Sequence, residues 1–331
     1  VVIQEQVVSH MQTSTRNAKS GLFVNLALVT VLLTIGLIVF GAVVRVTDSG
    51  LGCGNDWPLC DGRIFPPLDN VTAWIEWSHR LFAALIGVLG LAMLWKAWRA
   101  YRGKNVIVLG STVIAALLFV LQSALGAFVV IFDLPPTMVT LHLGTAMLLL
   151  AALLVAGIGA WHRPARDMLH TADHVTALAY ITAALSLVII LSGALVRGSG
   201  ATLACTTWPL CNGEIIPAGD SLRMVHMMHR LAVAGLGLTM VMLIWYVYRE
   251  RQSGMLRGMS VAALVTYAAQ ALVGAFYVWS SAGAVWGAAH VGLASLTWAL
   301  LVGVCAIDTL NSRTVSEKQI LWQQQSETAT G

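Results

Sequence analysis

Eight long apolar runs restrict the fold of this chain more than any other feature. They cover approximately residues 22–46, 74–99, 106–132, 138–161, 174–197, 223–248, 258–280 and 285–309. Each is long enough to cross a hydrocarbon layer as a helix, which takes roughly 20 residues. In lipid the backbone N–H and C=O groups must bond within their own segment, so runs of this length are read as helices. Charged residues make up only 10% of the 331 and the mean hydropathy is +0.79, whereas a soluble domain carries about 25% charged residues. The expected fold is all-α, a polytopic protein of the lipid bilayer. Residues 1–20 are polar and lack the apolar centre of a cleaved signal, so the first run is expected to remain as a span.

Basic residues orient the helices, because cytoplasmic segments are enriched in Lys and Arg. With the N-terminus inside, the inner segments hold Arg16, Lys19, Lys96, Arg99, Arg102, Lys104, Arg163, Arg166, Arg249, Arg251, Arg257, Arg313 and Lys318. Both termini are then cytoplasmic, and long outer connections run over about 47–73 and 198–222. This distribution accounts for the net charge of +4 and calls for no nucleic-acid partner. The tail after Asp308 is polar and expected to be mobile.

The chain repeats itself. Gly41-Ala42-Val43-Val44-Arg45 matches Gly193-Ala194-Leu195-Val196-Arg197, and Cys53 with Trp57-Pro58-Leu59-Cys60 matches Cys205 with Trp208-Pro209-Leu210-Cys211. His79-Arg80-Leu81 matches His229-Arg230-Leu231, Gln122 matches Gln270, and His142 matches His290. Each half therefore supplies four helices of one orientation, and the architecture read from this is two pseudo-symmetric four-helix bundles. The expected boundaries are a cytoplasmic segment 1–21, a first bundle 22–161, a linker 162–173, a second bundle 174–309 and a tail 310–331.

Each half holds one histidine near the outer start of its second helix and one near the outer start of its fourth, pairing His79 with His142 and His229 with His290. Two imidazoles at matched depth on facing helices can grip a heme iron from both sides. A zinc ion fits less well, since neither pair has an evident third or fourth ligand. Arg45, Arg80, Arg197 and Arg230 lie near the outer surface, where a guanidinium suits either heme propionates or lipid phosphates. Glu76 precedes His79 by three residues, on the same helix face, but its counterpart in the second half is His226. That asymmetry favours chemistry at one site and a permanent cofactor at the other, with a structural salt bridge as the alternative role for Glu76. Cys53 with Cys60 and Cys205 with Cys211 have the spacing of short disulfides in an oxidising compartment, to staple a loop or exchange with a redox partner. Cys305 reads as a small core residue, and His10, His162, His170 and His174 as surface residues.

This set of residues resembles the heme A synthase family, over about Gly21 to Asp308. The resemblance implies oxidation of the C8 methyl of heme O to the formyl of heme A, for cytochrome oxidase, in a bacterial plasma membrane. It implies that His229 and His290 hold a permanent heme b, that His79 and His142 flank the substrate heme, and that Glu76 is the acidic group of the reaction. Cys53, Cys60, Cys205 and Cys211 match the family's two outer cysteine pairs. Two successive oxidations, through a hydroxymethyl group to a gem-diol that dehydrates to the aldehyde, are the expected course. Heme O and heme A are the implied partners, joined by heme O synthase, because free heme is poorly soluble, and by an electron-transfer partner. Two other readings of the same ligands stand beside this one: a di-heme b-type electron-transfer cytochrome linked to quinol, and a heme carrier that leaves the porphyrin unchanged.

Overall fold

A computed structural model describes residues 21–163 and 168–312 in full, and the backbone alone of 2–20 and 313–330. It contains α1 (Val2–Val46), α2 (Val71–Tyr101), α3 (Val106–Ile131), α4 (Pro136–Trp161), α5 (His174–Gly198), α6 (Ser221–Glu250), α7 (Gly254–Trp279) and α8 (Ala284–Thr330). A 3-10 turn, Ala201–Leu203, follows α5. Eight stretches, from Gly21–Val46 to Ala284–Ser312, are long and apolar enough to cross a membrane. The chain is a multi-pass membrane protein with an all-helical fold.

The two halves start their helices with equivalent devices. Asn70 accepts from the Ala73 N–H to cap α2, and Asp220 accepts from Leu222 and Arg223 to cap α6. Asn105 caps α3 through Val108, and Ser253 caps α7 through Leu256. The residue types differ, but each supplies a side-chain oxygen to N–H groups that lack a partner within the helix. α4 begins at Pro136, where a missing N–H costs nothing.

Within the first half α1 packs on α2 and α4, and α3 on α2 and α4; α5 to α8 repeat the same ring. The halves meet through α1 with α8, α4 with α5, and α4 with α8. Helices α4 and α8 thus form the centre, while α2, α3, α6 and α7 expose Val88, Leu91, Val120, Leu238 and Val265 outward. One buried cluster spans both halves, including Phe23, Met147, Leu150, Leu243, Trp298 and Ile307. The Trp298 indole N–H donates to the Met147 carbonyl at 2.8 Å, fixing α8 against α4.

Several boundaries differ from the sequence expectation. α1 begins at Val2 and α8 runs to Thr330, past the apolar spans at both chain ends. Neither extension contains proline, and 313–330 is rich in good helix formers. Helix continuity thus outlasts hydrophobicity. Arg166 lies outside the described residues, and the side chains of His10, Arg16, Lys19, Arg313 and Lys318 do likewise.

The two long connections, 47–70 and 199–220, share one fold. The Cys53–Cys60 and Cys205–Cys211 disulfides are formed. After each second cysteine the chain reverses at Asp61-Gly62 or Asn212-Gly213, all four residues having positive φ. That is the backbone a two-residue hairpin requires, and Asp-Gly and Asn-Gly accept it at little cost. It brings Cys60 against Arg63 and Cys211 against Glu214.

Candidate functional site

Each of the four repeated histidines sits in a notch made by a glycine on its neighbouring helix. A Cβ on Gly41 of α1 would stand 3.2 Å from His79 Cε1, and one on Gly193 of α5 would stand 3.2 Å from His229 Cε1. Gly126 of α3 faces His142 at 3.1 Å and Gly274 of α7 faces His290 at 3.0 Å in the same sense. Any larger residue would push the ring. The two members of each pair are close enough to interact electrostatically, His79 with His142 and His229 with His290. The pairing expected from the repeat is therefore the pairing the fold brings together, at the loop-bearing ends of α2 with α4 and α6 with α8.

The second pair has defined partners. His229 Nδ1 lies 2.8 Å from Ser192 Oγ, and His290 Nδ1 lies 2.9 Å from the Gln270 carbonyl. In the first pair His79 Nδ1 is buried with no partner, and so is His142 Nδ1. The Gln122 carbonyl stands near His142 without meeting hydrogen-bond geometry. The Gln122 side-chain amide instead sits 3.1 Å from His142 Nε2, and its own oxygen is buried and unpartnered. A cavity enters the second half beside His290, lined by Ile190, Val233, Leu236, Tyr267 and Gln270.

Glu76 and His226 occupy equivalent slots, each one turn before an arginine and under its own disulfide loop. Glu76 is 3% exposed; it pairs with Arg80 and accepts from the Cys53 N–H at 2.9 Å. His226 donates from Nδ1 to the Ala201 carbonyl at 3.0 Å, and its Nε2 accepts from Arg230 at 3.3 Å. Arg80 also donates to the carbonyls of Asp56, Pro58 and Leu59, and Arg230 to those of Cys205, Thr207, Pro209 and Leu210. These loop contacts, which no sequence spacing announces, tie each disulfide loop to a histidine-bearing helix. Arg45 and Arg197 differ: each keeps a buried Nε without a partner, and Arg197 lies 3.8 Å from Asp48.

The remaining expectations divide. Cys305 is buried and free, as a core residue should be. His162 and His170 are not surface residues. His162 is 6% exposed and bonds Asn311 at 2.8 Å, while His170 pairs with Asp308 at 3.1 Å, because the last turns of the α8 span pack against the linker. His174 is exposed beside Glu250. At this end, away from the histidine pairs, buried Arg251 binds Asp173 and Asp308, each at 2.7 Å.

The donor set fits a heme better than a bare cation. Each half holds two imidazoles within electrostatic reach of each other, the first pair keeps buried Nδ1 atoms without partners, and arginines with free N–H groups stand at the same end. No carboxylate or thiol completes a four-ligand set there among the described residues, where the one grouping of metal-ligand type is Asp173, His174 and Glu250 at the other end. The fold and the site together define a class: a membrane protein of two parallel four-helix halves, each with a histidine pair at its loop-bearing end. Residues 24–302 match the model of the cytochrome oxidase assembly protein family, so the chain belongs to that family. It is similar to proteins named heme A synthase: 33% identical to that of Symbiobacterium thermophilum, over 81% of this chain and 89% of the relative. With the protein of Shouchella clausii it shares 32% identity over 83% and 93%, and with that of Alkalihalophilus pseudofirmus 29% over 83% and 95%.

Proposed function

We propose that this chain is a heme A synthase, an oxidoreductase that converts the C8 methyl of heme O to a formyl group. The observation that carries the reading is the duplicated histidine pair combined with an acidic residue in one copy only. His79 and His142 would flank the substrate heme O, in the half spanning 22–161. His229 and His290 would hold a resident heme b, in the half spanning 174–309. When bound, that group supplies one-electron transfer which protein side chains lack.

The chain's own residues would then position and polarise. The glycine notches fix the imidazole planes, and the buried N–H groups of Arg45 and Arg197 are suited to propionate carboxylates. Arg80 and Arg230 bind the loops, so propionate contact is the lesser part of their role. Glu76 sits in an apolar helix, where a carboxylate is strongly felt by positive charge developing at the ring periphery. Its bond to the Cys53 N–H couples that carboxylate to the disulfide loop. Oxidation of the methyl would proceed first to a hydroxymethyl group and then to a gem-diol, the hydrate of the aldehyde, with the electrons removed passing to an electron-transfer partner; loss of water from the gem-diol gives the formyl group. The basic residues at the opposite helix ends support cytoplasmic termini in a bacterial plasma membrane. Heme O synthase and an electron-transfer protein are the proposed partners.

Glu76→Gln tests the role of the carboxylate. It keeps the size and the oxygen that accepts from Cys53, and removes the charge. Heme content should be unchanged, while heme A formation falls by about 10²-fold or more, the usual scale for an electrostatic or acid–base group. Heme A formation at the wild-type rate would assign Glu76 to loop anchoring alone.

A further inference from the structure

The two histidine pairs are not equally prepared to hold a metal, and one repeated position differs outright in chemistry. Ser192 immediately precedes the notch glycine Gly193, and its counterpart before Gly41 is Phe40. The Ser192 hydroxyl donates to the Ile189 carbonyl at 2.8 Å, so towards His229 it acts as an acceptor. His229 therefore carries its proton on Nδ1 and presents Nε2 as a bare lone pair. His290 is fixed the same way, since the Gln270 carbonyl can only accept. Both ligands of the second pair are held in one tautomer and one orientation before any metal arrives.

The first pair lacks this arrangement. Phe40 meets the His79 ring edge to face, with centroids 5.8 Å apart, and offers no acceptor; His79 Nδ1 is buried and unpartnered. The Gln122 amide engages His142 Nε2, the nitrogen that faces the metal when the other nitrogen is held. Whichever way that amide is turned, it has to move before His142 can ligate.

We infer that Ser192 is a positioning residue that makes the second pair a retaining heme site, and that Phe40 at the repeated position leaves the first pair exchangeable. The inference rests on the functional reading above and gives a physical cause for its division into a resident heme and a passing substrate. A hydrogen bond to the non-ligating nitrogen orients a histidine ligand and raises its basicity, and its loss typically costs 10–100-fold in metal affinity. The same bond stabilises the oxidised metal, so its loss should move the reduction potential upward.

The test uses the full-length protein in detergent, loaded with heme b and challenged with excess apomyoglobin as heme acceptor. His229→Ala identifies the phase of heme loss that belongs to the second site. In Ser192→Ala that phase should accelerate by about 10-fold, with an upward shift in the potential of the same heme. Ser192→Thr, which keeps the hydroxyl, should restore both. Phe40→Ser should slow heme loss from the first site. Wild-type rate and potential in Ser192→Ala would overturn the inference, as would equal effects of Ala and Thr, which would mark packing alone. If the wild-type protein carries no His229-dependent heme, the functional reading itself fails and the inference with it.

Discussion

At the residue scale the site is built from small allowances. Each imidazole lies against a helix where only a glycine leaves room, so Gly274→Ala should drive a Cβ into His290. Overpacking of this kind costs about 1–3 kcal/mol. The expected outcome is a lower heme-to-protein ratio by pyridine hemochrome, together with earlier thermal unfolding. Gly90→Ala is the matched control. Nothing lies within 4 Å of that position in α2, and replacing a helical glycine there should be neutral or stabilising by about 0.5–1 kcal/mol. The histidines were legible in the sequence because they recur in register and ionisable groups are scarce in apolar runs. Of their contacts, Gln122 and Gln270 recur with them, but the residues beside His79 and His229 do not. Ser192 and Phe40 are ordinary residues for a membrane helix, and only their placement beside His229 and His79 gives them meaning.

At the scale of elements, each disulfide loop is fastened to the helix that follows it. Arg230 donates to four loop carbonyls and to His226, and Arg80 to three loop carbonyls and to Glu76. Arg230→Ala should raise amide hydrogen exchange across Cys205–Cys211 while leaving helix content unchanged. Arg80→Ala should do the same across Cys53–Cys60 and cost more, on the order of 3–5 kcal/mol, because Glu76 is left buried without its cation. Equal destabilisation by the two changes would contradict this account. The cysteine spacing made the two loops readable as stapled by short disulfides, while the reversals at Asp61-Gly62 and Asn212-Gly213 came only with the structure. The arginine anchors were not readable, since bonds from a side chain to a carbonyl some twenty residues away depend on the path of the loop.

At the scale of the whole molecule, the end opposite the histidines is closed by charge. Arg251 is 3% exposed and reaches Asp173 before α5, and Asp308 within α8. Burial opposes its charge, but the two carboxylates outweigh burial and hold its pKa above the ordinary value. Hydrogen bonds from Arg251 hold the Asp173 carboxyl well below the usual carboxylate range. A depressed carboxyl contributes stability above its unfolded pKa, about 4, and loses it as pH falls through the folded value. Thermal unfolding in detergent should therefore be flat in this contribution from pH 7 to about 4 and weaken below that. Asp173→Asn, which can still cap α5, should remove that part of the acid dependence. The eight spans and the two-fold repeat were legible because hydropathy and spacing carry them. The closure was not: Arg251 with Asp308, and His162 with Asn311, join residues far apart in the chain that are close only once α8 packs at the centre.

The central claim is that this chain changes heme O rather than merely holding heme. It is tested most directly by producing the protein in cells that make heme O but no heme A of their own. The hemes extracted from the purified protein would then be separated by chromatography and identified as pyridine hemochromes. Heme A together with heme b is the predicted result. Heme b alone, with heme O untouched, would contradict the account and make the chain a di-heme electron-transfer cytochrome.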